Sequence, residues 1–238
     1  MGAIAAALQA CQKRIAVACV DAGRGEKCAR LVAVSKTVPA TLIREAYAAG
    51  QQTFGESYLQ EALPKLAQLA DLPIEWHFIG PLQSNKTRQI AAHFDWVHSL
   101  AREKIAQRLS EQRPAGLPPL QVCIQVNVSG EASKSGIAPD SALALAQTIA
   151  SLPKLRLRGF MAIPEPSQDI SLQHSRFQFI AELLQAARAS GLDLDTLSMG
   201  MSGDLEVAIH EGATLVRVGT DIFGARPALE NNPQEQSA

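Results

Sequence analysis

The sequence predicts a single (β/α)8 TIM-type barrel with one additional N-terminal helix, and three observations lead there. From Leu31 onward, short apolar runs alternate with stretches of helical periodicity; the runs begin near Leu31, Gln52, Glu75, Asp95, Leu120, Leu155, Thr196 and Thr214, making eight β-α units. No glycine-rich dinucleotide fingerprint follows the first run, which favours a barrel over a doubly wound open sheet. Polar side chains also stand on one parity inside apolar runs, as expected where one strand face meets helices and the other fills a barrel.

Composition sets the frame. A chain of 238 residues, 47% of them hydrophobic, suits one domain with a large core, assigned to residues 1–229, followed by a polar tail, 230–238, expected to be disordered. Lys and Arg number 22 against 23 Asp and Glu, without a like-charge block, so neither a nucleic acid nor an anionic membrane is the expected partner. A monomer is expected. The four cysteines, Cys11, Cys19, Cys28 and Cys123, contain no Cys-x-x-Cys pair and read as reduced thiols of a cytoplasmic protein.

In chain order, Ile4, Leu8, Cys11, Ile15 and Ala18 recur at helical spacing and predict an amphipathic helix packed on the domain. It does not read as a signal peptide or a membrane span, because no basic residue precedes the apolar start and Gln12, Lys13 and Arg14 interrupt it. The first strand, Leu31-Val32-Ala33-Val34-Ser35-Lys36, ends on a lysine and hands over to a helix near Pro39. Partial desolvation disfavours the ammonium form and exposes the free amine that a Schiff base needs; the alternative is a stem that packs while its head reaches water. In the fifth strand Val122, Ile124, Val126 and Val128 share one parity, with Gln121, Gln125 and Asn127 on the other. In the eighth, Leu215-Val216-Arg217-Val218 places a guanidinium inside an apolar run, where it needs a partner.

Two loops look suited to an anion. Ser198-Met199-Gly200-Met201-Ser202-Gly203-Asp204-Leu205 follows the seventh strand and Gly219-Thr220-Asp221-Ile222-Phe223-Gly224 the eighth, the positions where βα-barrels often bind phosphate. Ser202 and Thr220 read either as helix caps or, acting together, as phosphate ligands. Other signals carry less. Gly130-Glu131-Ala132-Ser133-Lys134-Ser135-Gly136 does not have Walker spacing, and Gly200-Met201-Ser202-Gly203 misses the nucleophile-elbow pattern by one position. Of five histidines, His77 and His98 are placed where they could face the barrel mouth, His93, His174 and His210 on helix surfaces, and no metal motif is found.

Longer motifs identify a resemblance. Val32-Ala33-Val34-Ser35-Lys36-Thr37, Phe54-Gly55-Glu56-Ser57-Tyr58, Trp76 to Lys86, Ser133-Lys134-Ser135-Gly136, Gly159 to Pro164, Gly200-Met201-Ser202 and Arg217 to Gly224 together closely resemble the pyridoxal phosphate homeostasis protein family, in order and over nearly the whole chain. The resemblance implies a barrel like the N-terminal domain of alanine racemase, with pyridoxal 5'-phosphate (PLP) in Schiff-base linkage to Lys36. It further implies that Ser202, Gly219 and Thr220 hold the phosphate and that Arg217 faces the pyridine nitrogen. Ser57 stands where the family usually has asparagine, so its polar contact with the cofactor is expected to be shorter, water-mediated or absent.

The expected role is binding without evident turnover. Racemisation needs acid-base groups on both faces of the bound substrate, and the resembling racemases draw the second, a tyrosine, from an extra domain. The tyrosines here, Tyr47 and Tyr58, have no assigned opposing role. The favoured function is therefore PLP homeostasis, with apo-enzymes as recipients; the alternative is a small PLP-dependent racemase or decarboxylase using Lys36 and Tyr58 or water.

Overall fold

The computed structural model describes residues 2–130 and 135–224. The expected strands all form: β1 (Arg30–Val34), β2 (Thr53–Glu56), β3 (Glu75–Phe78), β4 (Trp96–Leu100), β5 (Leu120–Gln125), β6 (Leu155–Met161), β7 (Thr196–Ser198) and β8 (Leu215–Val218). Each pairs in parallel with the next, and β8 pairs with β1, Val32 opposite Arg217, so the sheet closes into an eight-stranded barrel. Strands buried on both faces have to be short and nearly continuously apolar, as Leu31–Val34 are.

Helices α2 (Ala40–Ala48), α3 (Leu59–Gln68), α4 (Thr87–His93), α5 (Glu103–Gln112), α6 (Pro139–Ala150), α7 (Ile170–Ala189), α8 (Leu205–His210) and α9 (Thr220–Phe223) follow the strands in turn, and α1 (Ala3–Asp21) precedes them. Their apolar faces and the outward strand residues form one continuous core. The barrel interior has its own small apolar layer of Val32, Trp96, Cys123, Met161 and Leu215, one residue from each of five strands. Phase in β5 is as expected, with Cys123 and Gln125 inward and Val122 and Ile124 in the outer core.

Helix α1 is long and apolar enough to cross a membrane by length and composition, yet Ile4, Leu8, Cys11, Ile15 and Ala18 are buried here against the barrel's helices. One cysteine expectation needs correcting. Cys19, at the end of α1, is bonded to Cys28 in the following loop, their Cα atoms 5.9 Å apart, whereas Cys11 and Cys123 are free and buried. Spacing gave no warning because the turn between α1 and β1 brings them together. The tail, residues 230–238, and the Ser133-Lys134 half of one resemblance motif lie outside the described residues.

Candidate functional site

Closure of the barrel makes β7, β8, β1 and β2 contiguous, and every candidate residue lies at or just beyond the carboxyl end of one of these four strands. Lys36 stands two residues past β1, half-buried, in a turn closed by the Val38 amide donating to the Ser35 carbonyl at 3.0 Å. Thr37 in that turn has φ 64°, uncommon for a β-branched residue and the sort of strain that persists only where its surroundings over-determine it.

Those surroundings are a buried ionic cluster. Glu56, at the end of β2 and fully buried, accepts from the Ser35 hydroxyl at 2.6 Å and from the Lys65 ammonium at 3.1 and 3.2 Å. Lys65 also donates to the Ser35 carbonyl at 2.8 Å and pairs with Glu61, whose carboxylate receives the Thr37 amide at 2.5 Å. Burial pushes the Glu56 carboxyl up, and the charge of Lys65 and the bonds from Ser35 and Lys65 pull it back. The cluster thus grips the lysine-bearing turn on both sides of Lys36. Sequence reasoning assigned no role to these residues, although a signal existed: Lys65 falls on the apolar face of α3 with Leu59, Ala62 and Leu66.

Ser57 follows β2 and is half-buried. Its carbonyl lies 1.9 Å from where a Cβ on Gly80 would stand, so glycine at the end of the third strand's loop lets the two backbones touch.

Neither Ser202 nor Thr220 caps a helix, so of the two sequence readings the capping one is set aside. Asp204 holds the N-cap position of α8 and Gly219 that of α9; Thr220 is the first helical residue. The Met201 amide donates to Asp204 at 2.6 Å, shaping the loop, and Gly200, at φ 95°, passes where an added Cβ would stand 2.7 Å from the Ala208 Cβ. Backbone amides of Ser202, Gly203, Gly219 and Thr220 donate to no acceptor among the described residues. Two loops with unspent amides thus stand side by side at adjacent strand ends, an arrangement whose donors are open to an anion.

Arg14 of α1, another residue without a sequence-assigned role, ties the two loops together. Its guanidinium donates to the Ser202 carbonyl at 2.8 Å, to Asp221 of α9 at 2.9 Å and to Glu206 of α8 at 2.7 Å.

Arg217 is buried inside the barrel, donating to the Ser198 hydroxyl at 2.7 Å and to the Ala162 carbonyl at 3.0 Å. Burial pushes its guanidinium down to about 10, leaving it cationic at neutral pH. The partner the sequence demanded is thus a hydroxyl and a carbonyl, with no carboxylate in contact among the described residues. His77 and His98, placed by the sequence where they could face the mouth, are fully buried in the interior and bonded to each other at 2.7 Å, with His77 stacked on Trp96. Tyr58 is the exposed N-cap residue of α3 and Tyr47 lies in α2.

A barrel with a lysine turn after its first strand, loops with unspent amides after its last two and a buried arginine on the eighth belongs to a class that comparison makes definite. Residues 7–227 match the family described as the N-terminal domain of alanine racemase. Alanine racemase of Corynebacterium glutamicum shares the fold with a TM-score of 0.65 at 19% identity, covering 96% of this chain and 62% of the racemase. More narrowly, the chain is 63% identical to the pyridoxal phosphate homeostasis protein of Pseudomonas aeruginosa, over 95% of its own length and 97% of the relative's. PipY of Synechococcus elongatus, solved with PLP bound, matches at 39% identity and a TM-score of 0.79, covering 93% of this chain and all of PipY. The chain therefore belongs to the pyridoxal phosphate homeostasis protein family.

Proposed function

We propose that this protein binds pyridoxal 5'-phosphate at the C-terminal mouth of the barrel and serves PLP homeostasis. The observation that carries the proposal is the convergence at one mouth of Lys36, the cationic Arg217 and two loops with unspent amides. When bound, PLP supplies an aldehyde carbon that an amine can attack and a ring that withdraws electrons from it.

The residues fit that group. Lys36 would hold the aldehyde in Schiff-base linkage, with the Glu56-Lys65-Glu61 cluster fixing the turn that presents it. Ser202, Gly219 and Thr220 would hold the phosphate with hydroxyl and amide donors, their loops bridged by Arg14. Arg217 would face the pyridine nitrogen, and a permanent cation there disfavours protonation of that nitrogen and weakens the ring as an electron sink. Ser57 would lie beside the ring and reach less far than an asparagine. The test is borohydride reduction of the PLP-loaded protein followed by peptide mass spectrometry. A reduced pyridoxyl adduct on Lys36 is expected; an adduct elsewhere, or none, overturns the assignment.

The same reading makes the protein a carrier and not an enzyme, acting as a cytoplasmic monomer that gives PLP to apo-enzymes. Tyr58, the nearest tyrosine in sequence to the mouth residues of β2, is exposed at the N-terminus of α3, which gives it no support as an opposing acid. Exchange of an amino acid's α-proton in deuterated solvent should not exceed that of free PLP; sustained exchange would instead establish the racemase or decarboxylase alternative. Transfer to an apo-enzyme faster than simple release would establish delivery.

A further inference from the structure

A continuous chain of hydrogen bonds crosses the barrel interior from Arg217 to the opposite face. Arg217 is 2.7 Å from the Ser198 hydroxyl, Ser198 Oγ 2.7 Å from His98 Nδ1, His98 Nε2 2.7 Å from His77 Nδ1, and His77 Nε2 2.7 Å from Glu75 Oε1. Ser198, His77 and His98 are fully buried and Arg217 nearly so. Glu75 ends the chain at the amino-terminal ends of the strands, in a cleft of about 750 Å³ lined also by Arg30, Asp95, Arg113 and Arg158. There it also accepts from Arg30 at 2.8 Å.

The direction of this chain is fixed by its ends. A guanidinium can only donate, so Ser198 accepts from Arg217 and spends its one hydrogen on His98 Nδ1. A neutral His98 then carries its proton on Nε2 and donates to His77 Nδ1; His77 in turn carries its proton on Nε2 and donates to the Glu75 carboxylate. Every donor and acceptor along the line is used once in this arrangement, and reversing any single link would set two hydrogens or two lone pairs against each other. Proton conduction is not its purpose, because shifting the line by one step would strip the guanidinium.

We propose that Glu75, His77, His98 and Ser198 form a one-way strut that positions Arg217 and sets the hydrogen-bond donors it keeps for the ring nitrogen of PLP, so that the far face of the barrel is coupled to the cofactor site. This rests on the reading that Arg217 faces that nitrogen. Glu75, His77 and His98 are positioning residues, acting through Ser198. Burial keeps both rings neutral; at His77 it outweighs Glu75, which favours the cation, and Arg30 adds to it, while at His98 the neighbouring His77, Arg217 and Arg30 all add to it.

The first test needs no cofactor. Long-range 15N correlation NMR of the full-length protein at pH 7 should find both His77 and His98 as Nε2–H tautomers; an Nδ1–H tautomer or an imidazolium at either overturns the strut. The second compares Glu75→Gln, which keeps an acceptor oxygen, with Glu75→Leu, which removes it, in PLP-loaded protein. Glu75→Leu should shift the maximum of the visible band and move the midpoint of its pH titration by about one unit, while Glu75→Gln stays near wild type. An unchanged band in a folded Glu75→Leu overturns the coupling. Absence of any visible band in loaded wild-type protein would instead overturn the proposed cofactor site, and the tautomers would then decide the strut. Should Glu75→Leu not fold, His77→Phe, which cannot accept from His98, set against His77→Gln, which can, gives the same comparison.

Discussion

At the scale of single residues, the turn that presents Lys36 depends on a buried ion pair beside it. Glu56 is a carboxylate with no exposed surface, tolerable because Lys65 and the Ser35 hydroxyl satisfy it. Removing one partner of such a pair leaves an uncompensated buried charge. Lys65→Met should therefore lower stability by about 3–5 kcal/mol in urea unfolding, and adding Glu56→Gln should recover much of the loss. A Lys65→Met protein as stable as wild type would show that Glu56 is not held as an ion. Lys36→Ala, by contrast, changes a half-buried side chain on a surface turn. It should still unfold cooperatively in urea while abolishing the visible absorbance of the PLP-loaded protein.

Among elements, the loops after β7 and β8 carry the binding argument, and each is held by something outside itself. Gly200 lies in the left-handed region with the Ala208 side chain against it. Gly200→Ala is expected to cost on the order of 1–3 kcal/mol in thermal or urea unfolding, because strain and contact add. The same substitution should weaken PLP binding, read by fluorescence titration. Arg14 acts differently. Its ion pairs are partly exposed and contribute less than about 1 kcal/mol to stability, but it joins α1 to both loops. Arg14→Ala should leave the melt nearly unchanged and raise the dissociation constant for PLP several-fold; equal affinity would show that the loops hold their shape without α1.

For the whole molecule, the buried histidines set the acid response. Burial holds His77 down to about 4, with Glu75 opposing, and pushes His98 well below its ordinary value. In the unfolded chain both protonate near 6.5. Between those values the unfolded state binds protons that the folded state refuses, so stability is complete above 6.5 and is lost as pH falls towards 4. His77 accounts for about 3 kcal/mol of that loss, at about 1.4 kcal/mol per pH unit. Urea unfolding at pH 7, 5.5 and 4 should show the decline; a flat profile would mean that the two rings are not buried as neutral groups.

By itself, the sequence determined the barrel, its eight strands and their order, because apolar period and turn residues are local properties that survive tertiary context. The mouth was legible for a related reason: Lys36, Arg217, Ser202, Gly219 and Thr220 sit at fixed offsets from strand ends, and closing the barrel must bring those ends together. Tertiary structure decided the rest. It put Ser202 in the loop and Thr220 in the first turn of α9, neither of them at a cap, since the cap is chosen by where the first helical turn can start, and Asp204 and Gly219 stand there. It drew Cys19 to Cys28, and it set Arg14 against residues nearly two hundred positions away. It also set His77 and His98 in the interior, where facing strands supply bonding partners. Such pairings depend on which side chains a closed sheet aims at one another, a matter of strand register and inward phase that no single stretch of sequence specifies.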